Sequence, residues 1–258
     1  MQQDFPDYFQ NPHLNPSPFF LEGGSIGVLL IHGYTASPVE VNFIGKYLNN
    51  RGFTISGPLL PGHGTSIEDL HDCKFEDWTA FIEKAYHDLD EKCESVVVGG
   101  ISLGGLLTLH LGAKYDDIDG LITYAPALQF RNKFALLAPY LKYLTKTLTW
   151  RKTNLSASIV DDRWCGYGID SIPALSQFLQ LQERVQQRLN DISQPILIFQ
   201  GMLDQSVDPS GAQKIYDSVR SEDKNLIWLN QSGHIVTLDI EWQTVAMKTA
   251  DFVERVSP

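Results

Sequence analysis

The chain has 258 residues, 43% of them hydrophobic, 20% charged and 11% aromatic, a globular composition that excludes a fibre or a disordered chain. Its 20 Lys and Arg stand against 31 Asp and Glu, a formal net charge of -11, which argues against nucleic acid as a partner because phosphate neutralisation needs a broad basic surface. Three cysteines, Cys73, Cys93 and Cys165, are odd in number, far apart and form no CxxC, so neither a disulfide framework nor a thiolate zinc site is expected. The opening MQQDFPDYFQNPHLNPSP has no basic residue and no apolar run, and the longest apolar runs elsewhere are strand-sized, so the expectation is a cytoplasmic protein without secretory signal or membrane span.

Residues 1–17, with three prolines, two asparagines and no periodicity, predict an irregular surface arm. Residues 25–31 (SIGVLLI) read as a buried strand. After HGYTA, the run Ser37, Pro38, Val39, Glu40 offers a capping box that opens a helix to about residue 50. Residues 53–60 read as the next strand, broken by PGHG, and 75–91 show helical spacing through Trp78, Ile82, Tyr86 and Leu89. A strand over 95–101, a Leu-rich helix over 103–115 and a strand over 120–127 follow. Strands over 195–203 and 225–229 bracket a helix over 209–220, and 240–256 close the chain helically. This alternation predicts an α/β fold, a mostly parallel central sheet flanked by helices with right-handed crossovers.

Residues 129–190 break the alternation but hold Phe130, Phe134, Tyr140, Tyr143, Trp150, Trp164, Tyr167 and Phe178. The stretch reads as a helical cap or lid inserted between two core segments, 1–128 and 191–258. In FALLAPYLKYLTKTL the apolar spacing suits a short helix interrupted near Pro139, its stripe covered by the body of the sheet.

The pattern G-x-S-x-G occurs twice. Around Ser25 it precedes a strand and marks a turn, whereas around Ser102 it follows one strand and opens a helix, which is where a nucleophile elbow lies. Such a turn strains the serine backbone, needs flanking glycines where strand and helix meet, and aims the first helical amides at a developing oxyanion. No G-x-G-x-x-G or P-loop pattern competes.

A serine hydroxyl needs a neutral imidazole to take its proton and an acid to orient that imidazole. Of seven histidines, His13, His87 and His110 lie in the arm or in helices, and His71 has no supporting context. His32 and His63 lie in Gly-bounded loops, where they either line a site or brace a loop. His234, after the last strand, is placed as the base. The acid should lie between Ser102 and His234 at a strand end. Asp204 directly follows PILIFQGML, while its rival Asp208 precedes Pro209 and suits a helix cap. Residues 121–160 contain no acid at all, Asp161 and Asp162 read as solvated, and Asp239 and Glu241 come after the histidine. For the oxyanion, the amides of Leu103 and of Tyr34, freed by Gly33, are the candidates.

HGYTASP, PLLPGHG, GISLGG, GMLDQSVDP and SGHIVTLD, in this order, resemble the α/β-hydrolase superfamily, and within it the small bacterial carboxylesterases and monoacylglycerol lipases. The resemblance runs from about residue 25 to the C-terminus. It implies the α/β-hydrolase fold with Ser102 as nucleophile, His234 as base, Asp204 as acid, the amides of Tyr34 and Leu103 as oxyanion donors, and 129–190 as a cap over an acyl pocket. It further implies cleavage of short- to medium-chain acyl esters or monoacylglycerols through an acyl-enzyme on Ser102, with no metal or organic cofactor. The single glycine of HGYTA departs from the HGGG form of some esterases. The same machinery serves thioesters or C–C bonds beside a carbonyl, and a hydrolase scaffold without turnover would be a binding protein.

Between residues 129 and 160 lie Arg131, Lys133, Lys142, Lys146, Arg151 and Lys152 and no acid. The plainer reading is a solvated face that offsets the acidic body; the sharper one is weak contact with an anionic lipid surface.

Overall fold

Strands covered on both faces bury every side chain, and the run over residues 26–31 shows this directly. Val28 and Leu30 enter one core while Leu29 and Ile31 enter the other, all four at 0% exposure. Each such fully buried chain contributes about 1.5–3 kcal/mol. The computed structural model describes residues 5–149 and 158–257. The first half runs through β1 (Phe9–Gln10), β2 (Phe19–Leu21), β3 (Ile26–Ile31), α1 (Val39–Asn49), β4 (Thr54–Gly57), α2 (Ile67–Asp72), α3 (Phe75–Asp90), β5 (Ser95–Ile101), α4 (Leu103–Gly112) and β6 (Gly120–Tyr124). The second half holds α5 (Ala138–Leu141), β7 (Thr147–Leu148), α6 (Ser158–Asp161), β8 (Gly166–Tyr167), β9 (Asp170–Ser171), α7 (Ile172–Arg188), β10 (Ile196–Gly201), α8 (Ser210–Ser218), β11 (Lys224–Leu229) and α9 (Trp242–Val256).

The 7-stranded sheet has the order β11-β10-β6-β5-β3-β4-β2, parallel throughout except for the β2–β4 pair. This is the mostly parallel α/β architecture expected from the sequence. The strand β2 is an addition: residues 19–21 are too short for a periodicity signal and are fixed by pairing with β4, the Phe19 ring lying where a Cβ on Gly57 would stand. The arm also forms β1, which pairs antiparallel with the distant β8. The helix α4 stops at Gly112 rather than 115, and β6 ends at Tyr124, followed by Ala125 with a φ of 43°.

The stretch expected to form the insertion is described over residues 129–149 and 158–190. Its longest element, α7, packs on α2, α3 and α4 and buries Ile172, Leu175, Phe178, Leu181 and Val185. The stretch around Pro139 is a 3-10 turn over Lys133–Leu137 continued by α5. The body of the sheet does not cover its apolar stripe, contrary to expectation: Ala138 is buried, but Phe134, Leu136, Leu137, Tyr140, Tyr143 and Leu144 are 44–84% exposed. Pro139 and the 3-10 geometry let the stripe wrap around the segment, so one buried face cannot hold it. Trp150, Arg151 and Lys152 lie outside the described residues. Among the described residues, no helix is long and apolar enough to cross a membrane.

Candidate active site

Ser102 stands between β5 and α4 with φ 57° and ψ −111°, a strained conformation for a residue with a side chain. Two close approaches hold it. A Cβ on Gly100 would collide with the Gly104 carbonyl, and one on Gly104 with the Ile31 carbonyl of β3. The turn is tied to the next strand by the Ser102 amide, which donates to the Tyr124 carbonyl at 3.0 Å. As first residue of α4, Leu103 directs its N–H out of the helix end, where no intrahelical acceptor exists. Ser25 instead precedes β3, its carbonyl accepting the Glu94 N–H at 2.8 Å.

Asp204 follows β10 and His234 follows β11, so both stand with Ser102 at the carboxyl edge of the parallel strands, where open α/β sheets carry their ligands. The His234 Nδ1–H donates to Asp204 Oδ2 at 2.8 Å, which leaves Nε2 as the free ring nitrogen. Among the described residues His234 is hydrogen-bonded to Asp204 and not to Ser102; contacts of this kind often close only when substrate is bound. Burial opposes the Asp204 charge, but the His234 ring and the amides of Val207 and Ser206 outweigh it and hold the carboxyl below its ordinary pKa. Burial likewise opposes the imidazolium of His234, yet the charge and hydrogen bond of Asp204, with help from Glu40, push its pKa above 6.5. The rival Asp208 lies one residue ahead of the N-cap Pro209 of α8 and accepts the Ser210 N–H at 2.9 Å.

The loop after β3 commits its amides one by one. The Gly33 N–H donates to Glu40 Oε2 at 2.8 Å and the Thr35 N–H to His63 Nε2 at 3.2 Å. Among the described residues the Tyr34 N–H, between them, has no protein acceptor. A Cβ on Gly33 would lie 3.2 Å from the Ser102 Cβ, so this loop runs against the elbow. The Tyr34 side chain is turned away: its hydroxyl donates to the Ser171 carbonyl at 2.5 Å and its ring packs on Phe178.

His32 and His63 brace loops. The His32 Nδ1–H donates to the Gly33 carbonyl at 2.9 Å while Nε2 accepts the Leu60 N–H at 3.0 Å; the His63 Nδ1–H donates to Pro61 at 3.0 Å. Both rings use one nitrogen as acceptor and must be neutral. Burial, and for His32 also the neighbouring His63, lowers their pKa values, His63 to about 4. His71 is joined to Ser171 Oγ at 2.7 Å and His110 to Glu83 at 2.9 Å.

Several polar groups around the site were not singled out from the sequence. Gln200, the one polar residue in the buried β10, donates from Nε2 to Asp204 Oδ2 at 3.1 Å. Arg131 donates to the Asp204 carbonyl at 2.9 Å. Asp239 Oδ2 accepts the Gly233 N–H at 2.7 Å and Glu241 accepts the Ser232 hydroxyl at 2.7 Å, so the acids following the histidine shape its loop. Glu40 does not close the expected capping box: α1 has Pro38 as N-cap and no side-chain cap, and the Ser37 hydroxyl donates to the Cys165 carbonyl. A lone polar residue in an apolar strand and acids shortly after the Ser232-Gly233-His234 turn are the signals that point to Gln200, Asp239 and Glu241. Among the described residues, no cluster of His, Cys, Asp or Glu is arranged to hold a metal ion. A groove of about 460 Å³ between the 3-10 turn and α7, lined by Leu136, Pro139, Leu179 and Gln182, includes none of the candidate residues.

A family model described as serine aminopeptidase, S33, matches residues 25–241. Thermostable monoacylglycerol lipase of Bacillus sp. (strain H-257) is 30% identical over 238 residues, 91% of this chain and 93% of that protein. Carboxylesterase of Bacillus subtilis (strain 168) is 29% identical over 244 residues, 94% of this chain and 98% of that protein. A solved structure reported for LipS and LipT, two metagenome-derived lipolytic enzymes, superposes with a TM-score of 0.88 at 26% identity, covering 93% of this chain and 98% of the other. A soluble variant of monoglyceride lipase from Saccharomyces cerevisiae, in complex with a substrate analog, shares the fold with a TM-score of 0.77 at 18% identity, covering 100% of this chain and 97% of the other.

Two titrations follow from this geometry. In Asp204→Asn the counter-charge is gone while burial remains, so the His234 ring, followed by its proton resonances against pH, titrates below its wild-type value; an unchanged titration contradicts the pairing. The unfolded chain binds protons at His63 near pH 6.5 and the folded chain only near 4, so stability falls as pH drops from about 6.5 to about 4. Urea midpoints in His63→Gln should depend less on pH across that window than those of the wild type.

Proposed function

The chain belongs to the serine aminopeptidase S33 family of α/β-hydrolases, and from that premise we propose that it hydrolyses short- to medium-chain acyl esters or monoacylglycerols through an acyl-enzyme on Ser102. The carrying observation is the 2.8 Å hydrogen bond between His234 and Asp204 at the sheet edge that also holds the strained Ser102. Relatives named as a monoacylglycerol lipase and a carboxylesterase support the ester class.

In this reading His234 Nε2 takes the Ser102 proton as Oγ attacks the ester carbonyl, and Asp204 stabilises the imidazolium. The oxyanion is received by the amides of Tyr34 and Leu103. The alcohol leaves with the proton from His234, and a water activated by the same ring then releases the acid. Residues 129–190 cap the acyl pocket. Removal of the nucleophile costs up to about a million-fold in turnover. Ser102→Ala should therefore lose hydrolysis of p-nitrophenyl acetate, butyrate and octanoate, and wild type treated with a fluorophosphonate should gain one adduct at Ser102. Turnover retained in Ser102→Ala, or wild type without turnover or adduct, overturns the reading; the second result is that of a binding protein. An aminoacyl p-nitroanilide measures the peptidase chemistry carried by the family's description.

We further propose weak contact of the segment around Pro139 with an anionic lipid surface. A solvated basic face accounts for Lys133, Lys142 and Lys146 but not for six exposed apolar side chains among them, Tyr143 and Leu144 at 81% and 84%. Sedimentation should show binding to anionic vesicles that exceeds binding to neutral ones and falls with salt and in Leu144→Glu; equal or absent binding removes the contact.

A further inference from the structure

Glu40 sits in the first turn of α1 at 4% exposure. Its carboxylate spans two segments far apart in the chain: Oε2 accepts the Gly33 N–H at 2.8 Å, and Oε1 accepts the Trp164 indole N–H at 2.8 Å. Trp164 is itself anchored, its amide donating to Val160 at 2.9 Å and its carbonyl accepting from Asn11 Nδ2 at 2.8 Å. The adjacent Arg163 donates to the Leu238 carbonyl at 3.1 Å, in the stretch that follows His234.

The Tyr34 N–H belongs to the peptide unit that begins with the Gly33 carbonyl. Gly33 has no Cβ, so sterics alone leave the orientation of that unit loose. Its aim must come from hydrogen bonds on either side. The His32 ring and the Ala36 amide hold the Gly33 carbonyl at 2.9 and 3.4 Å, and Glu40 holds the Gly33 N–H. A Cβ on Gly33 would stand 2.9 Å from Glu40 Oε2 and 3.2 Å from the Ser102 Cβ, so the residue that Glu40 grips is the one packed on the elbow.

We propose that Glu40 is a positioning residue that fixes the oxyanion loop and registers it against Trp164, so that the Tyr34 N–H is aimed while the Trp164 end of the insertion is seated. The proposal rests on the acyl-enzyme reading of Ser102 and adds a coupling between loop and insertion to it. An amide at this place has one acceptor oxygen and an NH2 group, so Glu40→Gln loses one of the two bonds and sets donor against donor. Trp164→Phe removes the indole N–H that meets Oε1 and leaves the Gly33 bond in place.

The test measures kcat and KM for p-nitrophenyl butyrate, and the inhibition constant of an alkyl trifluoromethyl ketone whose hemiketal oxygen occupies the oxyanion position, each normalised to active sites titrated with fluorophosphonate. In Glu40→Gln, kcat should fall roughly 10- to 100-fold with KM within about two-fold, as for a small misplacement of a catalytic donor. Affinity for the ketone should fall by the same factor. Trp164→Phe should show a smaller loss in the same two quantities, and the double variant no more than Glu40→Gln alone. Unchanged kcat and ketone affinity in folded Glu40→Gln, or a change in KM alone, overturns the proposal. If Glu40→Gln does not fold, Trp164→Phe decides in the same way. Ser102→Ala separates the two failures: activity retained there sinks the acyl-enzyme reading, whereas activity lost there with both other variants unaffected sinks only the role of Glu40.

Discussion

The approach of α4 to β5 and β3, close enough that neither Gly100 nor Gly104 can carry a Cβ, is the constraint from which the geometry of the site follows. It bends the chain within one residue, places the cost of that bend on the φ of 57° at Ser102, and presents the open end of a buried helix at the edge of the sheet. The helix is buried along nearly its whole length, with β5, β6, α3 and α7 packed against it, so the elbow cannot relax without disturbing the core. A local strain is thus maintained by global packing.

Around this fixed point the loops are organised by polar groups that saturate one another. Neutral histidines brace the segments after β3 and β4 because each can donate through one ring nitrogen and accept through the other. Carboxylates do the complementary work, taking backbone N–H groups at Gly33, Ser206, Val207 and Gly233. The amide of Tyr34 stands out by contrast, since its neighbours on both sides are committed. Asp204 shows the same economy: one carboxylate oxygen holds two loop amides and the other meets His234 and Gln200.

Much of this was legible in the residues. Apolar, β-branched runs located β3, β4, β5, β6, β10 and β11, and the order of strand, serine and helix separated the elbow at Ser102 from the similar string at Ser25. Position at strand ends pointed to Asp204 and His234, whose side chains are hydrogen-bonded to each other at 2.8 Å. Less legible were contacts whose partners lie far along the chain. The pattern Ser37 to Glu40 carries a local capping signature, yet tertiary partners at Gly33 and Trp164 claim the carboxylate instead. The apolar stripe near Pro139 carries no mark of which surface it meets, because composition records a need for cover and not its direction. Short strands such as β1 and β2 exist only through their pairing and leave no period to read.

That pairing has an implication for how the chain assembles. Phe9 lies opposite Tyr167 and Asn11 reaches the carbonyl of Trp164, while the Tyr8 hydroxyl meets the Ile67 N–H and Glu68, so the segment is fastened to residues far along the chain. During synthesis the pairing of β1 with β8 waits until Tyr167 has been made. Contacts of such long sequence separation carry a large loop-closure cost and form late. The closing of β1 on β8 is therefore a late step relative to the local pairing of β3 with β4.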